Sequence, residues 1–221
     1  MTRHPLVSVL MTAYNGEPYL GEAVQSILNQ TVQDFEFLII DNASTDGSRD
    51  VVLAFRDPRI RLISNPENLG PPRALNQGLR LAVGEYVARM DADDVALPDR
   101  LEKQLDFMER NPLCAVLGTQ ATLIDHVGRK IYTPWHPVTP HAIRWKMMFA
   151  SPLAHPSVIM RRDDVLAVGG YHESLRHCAD YRLRSTLVSR GHQITNFDQQ
   201  HMLMRVHPGG GMELQRRERI W

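Results

Sequence analysis

Short apolar runs alternate with segments of helical periodicity through the first half of the chain. Runs rich in β-branched and aromatic residues predict strands at 6–12, 35–40, 60–64 and 85–90. Between them, apolar residues recur on one face of a helical repeat, which predicts helices at 17–30, 48–55 and 72–82. Strands that alternate with helices predict an α/β fold, with a mainly parallel central sheet flanked by helices.

The second half of the chain has a less regular pattern. It predicts helices at 98–112, 140–149 and 180–192, and strands at 114–125, 128–132 and 202–207. The segment 157–171 has the pattern of a strand followed by a short helix, which ends at a glycine pair. Because no repeat, low-complexity tract or linker interrupts the sequence, we expect a single domain over 1–221.

Polar clusters follow three of the predicted strands directly. They are "TAYN" at 12–15, "DNASTDG" at 41–47 and "DADD" at 91–94. The carboxyl ends of parallel strands lie at one edge of a sheet, and ligands bind in the crevice beyond that edge. We therefore expect the three clusters to converge on one site.

Composition excludes several classes of protein. Lys plus Arg and Asp plus Glu are 25 each, so no overall field recruits nucleic acid. No window approaches the roughly 20 apolar residues of a membrane span, and no GxGxxG follows the first strand, as a dinucleotide dehydrogenase requires. Cys114 and Cys178 lack CxxC or framework spacing, and we expect both to be buried, reduced thiols in a reducing compartment.

Asp91, Asp93 and Asp94 place three carboxylates within four positions. Two such charges about 4 Å apart repel by roughly 4 kcal/mol at an effective dielectric near 20. Three interpretations are open, namely a solvated turn, a helix cap and a cation site. Asp99, after Pro98, suits a helix dipole, but the other three acids come too early for that helix. Asp-x-Asp supplies hard oxygen ligands for Mg²⁺ or Mn²⁺, which leave positions for water and a substrate diphosphate.

The other two clusters each have a structural and a functional interpretation. "DNASTDG" is typical of ordinary turn chemistry, with Asx caps and a glycine. "TAYNG" is likewise consistent with a turn that leaves Tyr14 half exposed. Alternatively, an aromatic ring and an aspartate at neighbouring strand ends supply a stacking face and an acceptor for a base N–H.

Several motifs together resemble a known family. In chain order they are "VSVLMTAYNGEPYLGEAVQSILNQTVQDFEFLIIDNASTDGS", "NLGPPRALNQGL", "GEYVARMDADD", "HPSVIMRR", "VGGYHESL", "CADYRLRSTLVSRG" and "RVHPGG". Over about 5–211 the chain resembles the inverting family 2 glycosyltransferases of the GT-A fold, which are nucleotide-diphospho-sugar transferases. The resemblance implies a Rossmann-like mixed sheet, with a nucleotide-binding half at about 1–98 and an acceptor-binding half at about 99–221.

The resemblance implies a nucleotide-binding role for matching positions in the first half. Tyr14 would stack on a uracil or thymine ring, Asp41 would accept the base N–H, and Arg73 would neutralise phosphate. Asp91 would contact the ribose side. The implied nucleotide-binding set is Thr12, Ala13, Tyr14, Asn15, Asp41, Arg73, Asp91 and Ala92.

The resemblance also implies the catalytic groups. Asp93 and His207 would hold a divalent cation, Mn²⁺ or Mg²⁺, and Asp180 would be the general base for the acceptor hydroxyl. His155 and Trp135 are candidates for the acceptor side. Here the family's usual Glu-Asp-Tyr is Ala179-Asp180-Tyr181, so an alanine replaces the usual glutamate next to the expected base.

The implied partners are a nucleotide-sugar donor, expected to be a UDP-sugar, and a saccharide or lipid-linked acceptor, as in bacterial polysaccharide synthesis. The implied place is the cytoplasm, with peripheral contact at the inner face of the membrane. Residues 212–221 are interpreted as a helix for membrane or homodimer contact, or as a basic tail. The second interpretation of the whole chain is a non-catalytic nucleotide-binding module or a truncated subunit.

Overall fold

The computed structural model describes residues 4–175 and 177–210. Four strands lie where the sequence predicted them: β1 (Val7–Ala13), β2 (Phe35–Asp41), β3 (Ile60–Ser64) and β4 (Tyr86–Asp91). The three helices between them are α1 (Glu17–Leu28), α2 (Ser48–Leu53) and α3 (Pro71–Leu81). The predicted alternation in the first half is confirmed. Residues 212–221, interpreted above as a membrane or dimer contact, lie outside the described residues.

The second half follows the predicted order, with differences in extent. Its elements are β5 (Val95–Ala96), α4 (Arg100–Arg110), β6 (Cys114–Ile124), β7 (Lys130–Tyr132), α5 (Pro140–Lys146), a 3₁₀ turn (His155–Ser157), β8 (Ile159–Arg161), α6 (Arg162–Ala167), α7 (Ala179–Ser189) and β9 (Gln193–Arg205). The sequence missed β5 and the first part of β9. The middle of β9 is exposed and polar, so its strand conformation depends on pairing with β6 and not on local pattern.

In the described part of the chain, the strands form a single mixed sheet. Their order is β3-β2-β1-β4-β8-β6-β9-β5, and β7 pairs with the C-terminal end of β6. β1 pairs in parallel with both β2 and β4, and β6 pairs in parallel with β9 over a long register. The antiparallel pairs, such as β4 with β8, are short. The expected mixed, mainly parallel sheet is confirmed.

Apolar residues cover both faces of the sheet. On β1, Val9 and Met11 pack in one core with the inner side of α1, while Leu10 packs in a second core with α3. Alternate side chains of a strand point to opposite faces, so a strand buried on both sides is apolar almost throughout. This arrangement concentrates polar residues at the strand ends and loops, with exceptions such as Arg89 inside β4.

The fold also bears on two further expectations. Within the described residues, no helix has the length and apolar character that a membrane crossing requires. Cys114 is buried, and burial raises the pKa of its thiol to about 11. The expectation of burial is wrong for Cys178, which is exposed and takes a left-handed conformation (φ 60°) directly before α7.

Gly84 lies so close to β1 that it leaves no space for a side chain. A Cβ there would lie 2.5 Å from the Ser8 nitrogen and 2.7 Å from the Val7 carbonyl carbon. We expect Gly84→Ala to lower the free energy of unfolding by about 1–3 kcal/mol, because backbone must move. Urea unfolding followed by circular dichroism measures this. The control is Gly21→Ala in the middle of α1, where the new Cβ would lie at an ordinary contact distance of 3.7 Å from Val51 of α2, so no loss is expected. Equal losses in the two variants would contradict the explanation.

Candidate functional site

The register of three neighbouring strands brings the polar clusters together. Thr12 at the end of β1 pairs with Ile40 of β2 on one side and with Asp91 of β4 on the other. Ala13 pairs with Asp41. The expected convergence of the clusters on one edge of the sheet is therefore a direct result of strand pairing.

The loop after β1 holds its polar groups firmly while it exposes one ring. Asn15 takes a left-handed conformation (φ 52°), and its side-chain oxygen accepts a hydrogen bond from the Thr45 N–H at 2.8 Å. The Asn15 N–H donates to Ser44 Oγ at 3.0 Å. Tyr14 remains 52% exposed, and Asp41 is buried beneath the loop, accepting from the Ser44 N–H at 3.1 Å. The arrangement offers an open aromatic face beside a fixed carboxylate.

Ala92 and the start of α1 close the other side of this loop. A Cβ at Gly16 would lie 3.5 Å from the Ala92 Cβ, so the two loops are in near contact. The Gly16 N–H donates to Ser48 Oγ at 2.9 Å, and the Glu17 N–H donates to Asp46 at 3.1 Å. The loops after β1 and β2 are therefore joined by hydrogen bonds, and the loop after β4 packs against them at Ala92.

The acidic cluster after β4 is compact, and each member has a protein partner. Asp91, Asp93 and Asp94 each offer a carboxylate oxygen, and these atoms lie within 4.8 Å of one another. Asp91 forms an ion pair with Arg89. Asp93 Oδ2 lies 3.0 Å from His207 Nε2, and Asp94 accepts the Arg205 N–H at 2.8 Å. The solvated-turn interpretation does not hold for Asp94, whose residue is only 3% exposed.

The electrostatics of this cluster favour a cation. Burial, followed by the charge of Asp91, raises the pKa of Asp93, and His207 acts against this. The same two causes raise the pKa of Asp94 well above its usual range. Asp91 and Asp93 are half-buried and open to solvent on one side. Carboxylate oxygens with an adjacent imidazole are a donor set that suits Mn²⁺ or Mg²⁺, so the residues present fit a divalent cation.

Residues from the far end of β9 support this cluster. The buried Arg205 guanidinium pairs with Glu22 at 2.5 Å and donates to the Asp93 carbonyl at 3.0 Å. It also lies 4.8 Å from the centre of the Tyr19 ring, and the His207 ring lies 4.6 Å from the same ring. Arg205 and Tyr19 therefore fix His207 beside Asp93.

A second cluster surrounds Asp180 in the first turn of α7. Arg184, one turn later, is buried and forms an ion pair with the Asp180 carboxylate. Its guanidinium also donates to the Leu153 carbonyl at 3.1 Å and to the Asp180 carbonyl at 3.0 Å. Burial acts to raise the pKa of Asp180, but electrostatic attraction, above all from the charge of Arg184, outweighs it, so the pKa is lowered. Asp180 is therefore held as a carboxylate.

His155 and Tyr171 lie beside Asp180, and Tyr171 is buried whereas His155 is half-buried. His155 Nε2 is 3.3 Å from the Tyr171 hydroxyl. Burial, followed by repulsion from Arg89, lowers the pKa of His155 well below its usual range. Burial raises the pKa of Tyr171. His155 is thus a neutral hydrogen-bonding group at neutral pH.

Arg89 connects the two clusters. It is 7% exposed and forms the ion pair with Asp91, and its charge also lowers the pKa of Asp180. Its Nε and Nη1 atoms are buried and have no hydrogen-bond partner among the described residues. The acidic cluster and Asp180 therefore share one electrostatic environment.

Two predicted site residues lie apart from these clusters. Arg73, near the start of α3, is exposed and lies 3.5 Å from Glu173. Trp135 is 64% exposed, and its carbonyl accepts from Lys146 of α5 at 3.3 Å, so its interactions are with α5. Their roles stay predictions.

Sequence reasoning missed Arg89, Arg205 and Tyr171. Arg89 interrupts the apolar strand "YVARM", and Arg205 interrupts "MLMRV". A charged residue inside a buried strand requires a partner, since unpaired burial is costly, and this signal was available. Tyr171 carried no comparable signal, because its place beside His155 depends on tertiary packing.

Comparison with known proteins gives a consistent result. The family model described as Glycosyl transferase family 2 matches residues 8–168. An uncharacterized glycosyltransferase of Haemophilus influenzae is 34% identical, covering 94% of this chain and 67% of that protein. The amylovoran biosynthesis glycosyltransferase AmsE of Erwinia amylovora is 31% identical, covering 96% of this chain and 80% of that protein.

Solved structures resemble the fold at lower identity. S. aureus TarS in complex with UDP-GlcNAc superposes with a TM-score of 0.78 at 23% identity, covering 94% of this chain and 60% of that chain. The mannosyltransferase PcManGT of Pyrobaculum calidifontis, in complex with GDP-Man and Mn²⁺, gives 0.75 at 22%, covering 98% and 61%. The chain thus spans about three fifths of these two structures. On the family match, the relatives and the shared architecture, the chain belongs to glycosyl transferase family 2 and has the GT-A fold.

Proposed function

We propose that the chain is a metal-dependent, inverting glycosyltransferase that moves a sugar, of the hexosyl or N-acetylhexosaminyl type, from a UDP-sugar to a hydroxyl of a saccharide or lipid-linked acceptor. The observation that carries this proposal is the juxtaposition of two clusters. The cluster of Asp91, Asp93 and Asp94 is suited to a cation, and Asp180 is a fixed carboxylate. The positive charge of Arg89 acts on both, through its ion pair with Asp91 and its effect on the pKa of Asp180. A sugar bound between them would meet a leaving-group site and a base.

The names of the relatives support a role in polysaccharide synthesis. AmsE is named for amylovoran biosynthesis. WfgD of Escherichia coli, 36% identical over 51% of this chain and 45% of its own length, is named as a glucosyltransferase that uses UDP-Glc and a diphosphoundecaprenol acceptor. TarS was crystallised with UDP. These names favour UDP as the nucleotide and a lipid-linked acceptor.

The proposed nucleotide-binding half is 1–98. In it, Tyr14 stacks on the uracil ring, and Asp41 accepts the base N–H. Thr12, Ala13 and Asn15 line this pocket, while Asp91 and Ala92 lie on the ribose side. Arg73 exchanges Glu173 for a phosphate of the donor, because its guanidinium is exposed and held only by a surface ion pair.

The proposed cation site consists of Asp93 and His207, with the carboxylate of Asp91 close by on the ribose side. When bound, Mn²⁺ or Mg²⁺ supplies Lewis acidity that neutralises the diphosphate leaving group. The protein's own contribution is orientation: Arg205 and Tyr19 fix His207, while Arg89 holds Asp91. These contacts keep the side-chain atoms that would bind the cation close together before the cation binds.

The proposed acceptor-binding half is 99–221, with Asp180 as general base. The acceptor oxygen attacks the anomeric carbon as the bond from that carbon to the diphosphate oxygen breaks, and the hydroxyl proton passes to Asp180. Attack opposite the leaving group inverts the anomeric centre. His155 and Trp135 are the proposed acceptor-side residues, and neutral His155 is suited to hydrogen-bond a sugar hydroxyl.

One observation favours a second function, a nucleotide-binding module without turnover. Asp180 is tied to Arg184, and Ala179 stands where the family commonly has glutamate. An ion-paired carboxylate is a weaker base than a free one, since the pairing lowers its pKa. Measured donor turnover separates the two functions.

The cation site predicts that UDP binding depends on both Mn²⁺ and Asp93. We expect Asp93→Asn to weaken UDP binding in Mn²⁺ by more than about tenfold, because one anionic ligand is lost. Calorimetric titration with UDP, with and without Mn²⁺, measures the effect. Asp34→Asn, at an exposed position, is the control and should bind as the wild type does. Equal affinity with and without Mn²⁺ would remove the cation from the mechanism.

The assignment of the base predicts a loss of turnover without a loss of donor binding. Asp180→Asn should reduce kcat by about 10² to 10⁴, since the amide cannot take the acceptor proton. Release of UDP in the presence of donor and acceptor measures the rate, and UDP titration measures binding. Asp163→Asn is the matched control on the exposed start of α6. A variant with wild-type turnover would show that Asp180 is not the base.

The Asp180–Arg184 pair predicts a change in the pH profile. Arg184→Met removes the neighbouring charge that most lowers the pKa of Asp180 and leaves burial, which raises it. The acid limb of kcat should therefore move to higher pH, because the base must be deprotonated. Arg184→Lys keeps a charge and should move the limb less. An unchanged limb in Arg184→Met, with UDP binding retained, would contradict the role of the pair.

A further inference from the structure

One long segment of this neutral chain contains no acidic residue. Between Asp125 and Asp163, residues 126–162 include six Lys or Arg and no Asp or Glu. The whole chain has 25 residues of each sign, so the local excess of positive charge is pronounced. Such an excess attracts anionic surfaces within about a Debye length of 10 Å.

The same segment carries most of the exposed large apolar side chains. Seven of the eleven found among the described residues lie within 127–149. Trp145 and Phe149 are 65% and 71% exposed, with ring centroids 5.2 Å apart. We define the aromatic–basic patch as a set of groups around α5, namely the exposed Trp135, Arg144, Trp145, Met148 and Phe149 and the half-buried Lys146.

The patch faces solvent because the opposite side of α5 packs in the core. Ile143 and Met147 of the same turn are buried in the core, at 0% and 7% exposure. Because α5 is anchored by these two side chains, its intervening aromatic and basic residues must face solvent. Large apolar side chains exposed together commonly mark an interaction surface.

The patch adjoins the proposed acceptor side. The Tyr181 hydroxyl donates to the Met147 carbonyl, and Tyr181 directly follows Asp180. The Lys146 ammonium donates to the Trp135 carbonyl at 3.3 Å, which joins the preceding loop to α5. A partner bound to the aromatic–basic patch would therefore lie beside the start of α7.

We propose that the aromatic–basic patch docks the protein on an anionic lipid bilayer. Tryptophan and phenylalanine insert at the boundary of headgroups and acyl chains, and Lys and Arg pair with anionic headgroups. Charge complementarity favours a bilayer over a second copy of this chain, because the patch carries one sign of charge. The proposal extends the proposed function, since it places the base beside a membrane that holds a lipid-linked acceptor.

Vesicle binding tests the proposal without turnover, so its failure is distinguishable from failure of the proposed function. The protein is sedimented with vesicles of phosphatidylcholine and phosphatidylglycerol in equal amounts, and with vesicles of phosphatidylcholine alone. We expect preferential binding to the anionic vesicles that weakens as salt is raised. Arg144→Gln with Lys146→Gln should lower the partition coefficient by about tenfold. Trp145→Ser with Phe149→Ser should lower it at least as much.

Matched controls remove similar groups elsewhere. Leu53→Ser with Leu113→Ser removes two exposed apolar side chains, and Arg49→Gln with Lys103→Gln removes two exposed charges. Both pairs should bind vesicles as the wild type does. Unchanged UDP binding and circular dichroism in the patch variants show that they fold.

Three outcomes would overturn the proposal. One is the absence of vesicle binding by the wild type, and another is equal binding by the patch variants. The third is loss of binding only in Arg216→Gln with Arg217→Gln, which would assign membrane contact to residues 212–221. Light scattering completes the test, because a dimer that dissociates only in Trp145→Ser with Phe149→Ser would identify a second copy as the occupant.

Discussion

The crowding of three carboxylates at the end of β4 is the constraint on which the site depends. The strand register places these charges beside the ends of β1 and β2, where they cannot avoid one another. Their repulsion is balanced by Arg89 at Asp91, by the Arg205 N–H at Asp94 and by His207 at Asp93. The long β9 strand is required for this balance, since it carries Arg205 and leads to His207.

Arg89 extends the influence of this cluster into the second half of the fold. Its guanidinium lies on the face of β4 opposite Met90, where it shares an environment with His155, Tyr171 and Asp180. A buried cation without full hydrogen bonding is costly unless anions surround it. Asp91 pairs with this cation directly, and the charges of Asp94 and Asp180 also act in its favour.

The proposed chemistry and the proposed membrane surface meet at the start of α7. Tyr181 contacts Met147 at the end of α5, whose outer side is the aromatic–basic patch, while Asp180 lies near His155. An acceptor held in a bilayer would approach from this side, and the donor would enter from the strand-end loops. In the proposed mechanism, the acceptor oxygen and the diphosphate leaving group would then lie on opposite sides of the anomeric carbon, as inversion requires.

The sequence by itself determined the strand and helix alternation, the convergence of three polar clusters and the family. It did so because buried parallel strands leave a continuous apolar pattern, and their ends align by topology. Only the tertiary structure decided the partners of the acids, the length of β9, the burial of Asp94 and the exposure of Cys178. These features depend on contacts between residues far apart in the chain, such as Arg205 with Glu22 and Asp94, which leave no local periodicity.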